Sequence, residues 1–131
     1  AYSGGNSLVQ VAHERFPNRT DFTDARAIDL AAGAGDADAR AILDTAAVYN
    51  AAGIASMIQL YVPDAIIFGG GQCREDGYLY RRTLEEICNI LPRERLENIK
   101  ISITTLGKYQ SALGAARLAY EKFFGETKKE K

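Results

Sequence analysis

Cysteine and histidine are scarce in this sequence: Cys73, Cys88 and His13 are all it has of them in 131 residues. So few, so far apart, exclude a disulfide framework and any zinc-ligand spacing. Both thiols read as reduced side chains of a cytoplasmic protein, with Cys88 as core filling. His13, beside Glu14 and Arg15 in a helical pattern, reads as a surface or helix-flank residue with no chemistry. An excess of either charge is missing too, since 16 basic against 17 acidic side chains leave a net charge of -1. No global field would draw in nucleic acid or an anionic membrane. Long apolar runs read as interrupted by Asp, Arg, Glu or Pro well short of the roughly 20 residues a bilayer span needs, so no membrane segment is expected. The opening AYSGGN has neither a basic stretch nor an initiating Met, which reads as a fragment without a secretory signal. What is present, 47% hydrophobic and 25% charged residues, is the balance of an ordinary globular domain.

Periodicity divides the chain into alternating elements. Leu8, Val11, Ala12 and Phe16 share one helical face, with Asn6 or Ser7 as cap and Pro17-Asn18 as the stop. A second, alanine-rich helix is expected from the Thr23 cap to the Gly33-Ala34-Gly35 break. Asp36 then caps a long helix to Tyr61, in which Ala39, Ile42, Leu43, Ala46, Gly53, Ile54, Met57 and Leu60 repeat at helical spacing. Alanine and Gly53 on that face predict close approach to another backbone, and Pro63 stops the helix. AIIF, residues 65–68, has the look of a parallel strand buried on both faces. Tyr80, Leu84, Ile87, Cys88 and Leu91 return to helical spacing until Pro92. Ile99, Ile101 and Ile103 alternate with Lys100, Ser102 and Thr104 as a second strand, which Gly107 breaks. A last helix carries Ala112, Leu113, Ala116, Leu118, Ala119 and Phe123 before a solvated tail from Glu126 to Lys131. The layout is α/β, with helices on a sheet that two strands leave incomplete. Ile66 and Ile67 should face opposite ways, with Ile101 and Ile103 in the same sheet.

Gly69-Gly70-Gly71 lies where a strand ends and the route to the next helix begins, the place where open α/β sheets bind ligands. Glycine there lets backbone amides approach a phosphate or an adenosine and turn toward one anion. A tight turn alone would need one or two glycines. No P-loop fits, because Gln72, Cys73 and Arg74 follow where Lys and Ser or Thr belong. The dinucleotide fingerprint fails as well, with Arg74 in place of its last glycine.

Three segments in order resemble the C-terminal half of the ROK family of sugar kinases and sugar-responsive repressors. VPDAIIFGGG is similar to that family's "Pro, acid, apolar strand, triple glycine" segment, and GDADARAILDTAAVYNAAGIASMIQLYVP to the long helix before it. ITTLGKYQSALGAARLA is similar to its closing element, at Leu106-Gly107 and Gly114-Ala115-Ala116. Departures occur at Gln110-Ser111, where an Ala-Gly pair is usual, and at Gln72-Cys73, where a small polar residue is common.

The resemblance implies that residues 1–131 are one partial domain, the trailing part of the ROK C-terminal domain, with the actin-like ATPase (ribonuclease H-like) fold. It implies ATP with magnesium as cofactor, Gly69, Gly70, Gly71 and Gln72 along the nucleotide, and Gly107 on the same rim. The family's Asp-x-Gly-Gly-Thr phosphate segment, catalytic Asp, sugar-contacting His and Glu, and zinc segment would all precede Ala1. Hence no catalytic residue and no metal ligand is expected here, and zinc would belong to the parent. The implied function is the nucleotide side of a glucokinase-like, ATP-dependent hexose kinase in a homo-oligomer. The alternatives are a repressor parent, which alone would bring DNA as partner, and a non-enzymatic α/β interaction domain. The 131 residues by themselves are expected to phosphorylate nothing, because no base for the acceptor hydroxyl and no charge clamp is among them. A coupled ADP-release assay with glucose and related hexoses checks this, and turnover by the chain alone would refute it.

Overall fold

A computed structural model describes residues 4–70 and 73–125, in the order α1 (Gly5–Arg15), α2 (Ala25–Ala34), α3 (Ala37–Tyr61), β1 (Ala65–Phe68), α4 (Tyr78–Ile90), α5 (Arg93–Leu96), β2 (Lys100–Ile103), a 3-10 turn (Gly107–Tyr109) and α6 (Gln110–Phe124). The expected tail from Glu126 lies outside the described residues.

Helix starts follow the capping chemistry, though not always at the expected residue. Asp24, rather than Thr23, accepts from the Ala27 amide at 2.8 Å, and Asp36 accepts from the Ala39 amide at 2.9 Å. Aspartate holds a full charge against the first-turn amides, which favours it over a neighbouring hydroxyl. Neither Asn6 nor Ser7 caps α1, which already begins at Gly5, after Gly4, without a side-chain cap. Gly35 ends α2 at φ 103°, a left-handed conformation that glycine adopts without steric cost.

α3 is the spine. Its N-terminal half buries Ala39, Ile42, Leu43, Ala46 and Ala47 against Leu8, Ala12, Phe22, Ile28, Ala32 and Leu79 of the surrounding elements. Its C-terminal half turns Ala51, Ala55 and Ile58 toward Ile87, Leu91, Ile66 and Phe68. Each large aliphatic or aromatic side chain so buried contributes about 1.5–3 kcal/mol. Five of the eight buried α3 residues are alanines, so α4 and the sheet can approach the helix closely. Gly53 plays no part in that approach: it is exposed, and a Cβ there would meet nothing within 4 Å. Met57 and Leu60 are likewise on the outside, at 58% and 75% exposure. No charge interrupts residues 45–63, so the pattern left the helix face undefined and the neighbours decided it. The same stretch makes α3 long and apolar enough to cross a bilayer by length and composition, which corrects the expectation that every apolar run is cut short. Here it is the helix on which α1, α2 and α4 pack.

Val62 then reverses the chain at φ 46°, donating its amide to the Ile58 carbonyl at 3.0 Å. β1 and β2 pair in parallel in one sheet, as expected, and the register sets Ile66 opposite Ile101 and Phe68 opposite Ile103. Ile66 and Phe68 face α3 and α4, and Phe68 meets Tyr80 edge to face at 5.2 Å. Ala65 and Ile67 point the other way and are exposed, so β1 is covered on one face only, not two. The sheet has two strands among the described residues, each with a single neighbour. Apolar side chains of α6, including Leu118 and Phe123, are exposed as well. Cys88 is exposed beside the α4–α5 corner, not core filling, because Ile87 and Leu91 take the buried positions of that face. The short α5 after Pro92 carries no buried residue and left no periodicity to detect.

α4 has no side-chain cap of its own, and its entry is held from outside. Asp29 of α2 accepts the Leu79 amide at 2.8 Å, with its second oxygen close to Gly77, where a Cβ would stand 3.1 Å from it. Asp29 thereby locks the loop that follows the glycine run onto the helical core. Asp29→Ala should cost about 1–2 kcal/mol, the range for a lost helix cap. Urea denaturation should show a lower midpoint at an unchanged slope.

Candidate functional site

Parallel pairing places both strand exits at one edge of the sheet. The Thr104 amide donates to the Phe68 carbonyl at 2.8 Å, closing the ladder where β1 gives way to Gly69 and β2 to Thr104. The turn after β1 runs through Gly70 at φ 112°, and the Cys73 amide donates back to the Gly70 carbonyl at 3.2 Å. The turn after β2 is shaped by Thr104, whose hydroxyl accepts the Leu106 amide at 3.2 Å, and by Gly107 at φ 59°. Both glycines are in the left-handed region that side chains rarely adopt, and a Cβ on either would point into open space. They are glycine for backbone conformation and leave room above the strand ends.

Gly69 is glycine for a different reason. The carboxamide of Gln110, first residue of α6, packs on it so closely that a Cβ would overlap the amide, coming within 2.8 Å of its Cδ. The fold therefore brings three of the five expected site residues, Gly69, Gly70 and Gly107, to the same edge. Gly71 and Gln72 lie outside the described residues. Gln110 joins them as a residue the sequence marked only as a departure from its family's pattern. Nothing in helical or strand spacing foretells that its side chain turns back across the strand end.

Beyond the turn, Cys73 is half-buried and its Sγ donates to the Gly69 carbonyl at 3.2 Å. Burial pushes its thiol pKa up, favouring the protonated donor. Arg74 follows, with Nε on Asp76 at 2.9 Å, and the guanidinium holds the Asp76 carboxyl below the usual range. Among the described residues no group of three or more His, Cys, Asp or Glu side chains could hold a metal ion, and the chain's sole histidine is exposed on α1. A second cleft of about 460 Å³ lies between Gly33, Arg40, Tyr78, Arg81, Arg82 and Glu85. Two of its arginines are taken up structurally: Arg40 donates to the Ala32 carbonyl at 2.9 Å, and Arg82 to Asp44 at 3.1 Å and Glu85 at 3.0 Å.

Helices on a parallel strand pair define an α/β protein, with the glycine turns side by side at the strands' carboxyl ends. The ROK family profile matches residues 1–122, and the chain belongs to the ROK family. Among solved structures it is similar to a protein from Cytophaga hutchinsonii assigned as a sugar kinase, with a TM-score of 0.75 and 23% identity. That likeness covers 90% of this chain and 42% of the other, so the fold is shared over less than half of the larger protein. No curated protein sequence matches the chain.

The two cysteines offer a direct check of the local geometry. Under mildly alkaline conditions a thiol reagent should label exposed Cys88 well before Cys73, whose half-burial, hydrogen bond and raised pKa all slow thiolate formation. Mass spectrometry of labelled peptides separates the two, and the reverse order would contradict the packing of the turn.

Proposed function

We propose that this chain is the nucleotide side of an ATP-dependent sugar kinase, an actin-like ATPase that transfers the terminal phosphoryl group of ATP to a hexose hydroxyl. The observation that carries this reading is the pair of turns at one sheet edge, with positive φ at Gly70 and Gly107 and open space beside both. Family membership and the sugar-kinase assignment of the structural neighbour support it. The backbone of the first turn would orient the nucleotide, with Gly107 on the facing rim and Gly71 and Gln72 continuing the contact.

Phosphoryl transfer rests on positioning and charge stabilisation, and this chain supplies the first of these. Magnesium would enter with the phosphates, since no group of three or more acidic side chains among the described residues could hold it; bound there, it would neutralise charge on the transferred group. The base that takes the acceptor proton is not among these residues in our reading. Asp64 stands at the amino end of the strand pair, where its carbonyl accepts the Lys100 amide, opposite the cleft edge. Asp76 is held by Arg74. Base, sugar contacts and any zinc therefore belong to the rest of the parent protein, which we take to be a cytoplasmic homo-oligomer. Ile67, 67% exposed on the open side of β1, and the uncovered face of α6 are the apolar surfaces that such a remainder would cover.

Gly70→Val in the full-length protein tests the reading. A branched side chain at φ 112° cannot keep the turn, so the KM for ATP should rise on the order of tenfold or more while the KM for the hexose holds. An unchanged KM for ATP in a normally folded variant would overturn the site.

A further inference from the structure

Gln110, the first residue of α6, turns its side chain back over the end of β1. Its carboxamide lies on Gly69, in space that exists because Gly69 has no Cβ. Held there, it makes no hydrogen bond with any described residue. An amide so placed carries two donors and an acceptor side by side on a neutral, planar group. The first turn of α6, Gln110-Ser111-Ala112-Leu113, brings no charge with it. That suits an uncharged part of a ligand better than its phosphates, for which donors alone would serve.

We propose that Gln110 is the base-reading residue of the nucleotide cleft, selecting a purine that offers an amino group beside a ring-nitrogen acceptor. Adenine has that edge: its N6 amino group donates to the Gln110 Oε1 while its N7 accepts from Nε2, the bidentate match of a carboxamide to adenine. Hypoxanthine and guanine present an oxygen at the six position, so one of the two bonds is replaced by two acceptors facing each other. The inference rests on the nucleotide reading of the glycine turn and adds to it the residue that chooses the base.

The test is equilibrium binding of ADP and IDP to the full-length protein and to three variants. Wild type should prefer ADP. Gln110→Ala should reduce that preference on the order of tenfold, the range for a lost amide–base pair. Gln110→Lys, which offers donors only, should shift the preference toward IDP, a reversal that a merely structural role would not produce. Gly70→Val should weaken both nucleotides alike. An ADP to IDP ratio unchanged in both Gln110 variants, with Gly70→Val weakening both ligands, would overturn the role of Gln110 and leave the cleft standing. Equal affinity of all four proteins for both nucleotides would overturn the cleft assignment itself.

Discussion

The hydrogen bond from the Thr104 amide to the Phe68 carbonyl, 2.8 Å long, makes the rest of the molecule's arrangement necessary. It closes a parallel ladder, and parallel strands cannot be joined by a tight hairpin; the chain must travel back along the sheet before entering the second strand. α4 and α5 are that return path. Parallel pairing also sends both strands out at the same edge, which is why turns separated by more than thirty residues of chain stand side by side. An antiparallel pair would have put them at opposite ends of the sheet.

Two packing regions share α3 without sharing its surface. The first gathers α1, α2, α3 and α4 around the loop residue Phe22 and holds Ile28 and Leu43; the second clamps Ile66 and Phe68 of β1 under Ile87 and Leu91. Arg19 ties the start of α3 to the loop before α2, reaching Asp21 at 2.9 Å and Asp36 at 2.8 Å while stacking over Phe22 at 3.9 Å. The guanidinium keeps both carboxyls below the usual range, so both remain charged at neutral pH. Asp29 performs the matching task at the other end, where α2 meets the entry to α4. Rigid helices on one side and glycine turns on the other are thus joined by a few side-chain bonds between charged or polar groups.

Much of this was legible in the residues. Alternation over Ile99, Ile101 and Ile103 and the unbroken AIIF run reported two strands of one sheet and the faces of Ile66 and Ile67, because period two has one geometric meaning. Asp36 reported a helix start because its carboxylate has a local partner three residues on. The contacts that escaped detection are those whose partners are remote or absent. Cys88 follows buried Ile87 on α4, and composition cannot say which of two apolar neighbours turns inward. Gly53 fits an apolar face only if that face is the one α4 and β1 select. Gly69 and Gly70 were readable as a break after a strand, whereas the return of Gln110 onto Gly69 is a fold-back that sequence spacing does not encode.

Each strand of the sheet has one neighbour, so among the described residues the outer edges of β1 and β2 keep backbone donors and acceptors unpaired. Such an edge is a template, since any extended segment that lies alongside can add itself to the ladder. Exposed Ile67 supplies adhesive surface next to it. A net charge of -1 supplies almost no repulsion between copies. Solubility of this chain consequently depends on whether those edges are covered before strands from neighbouring molecules reach them.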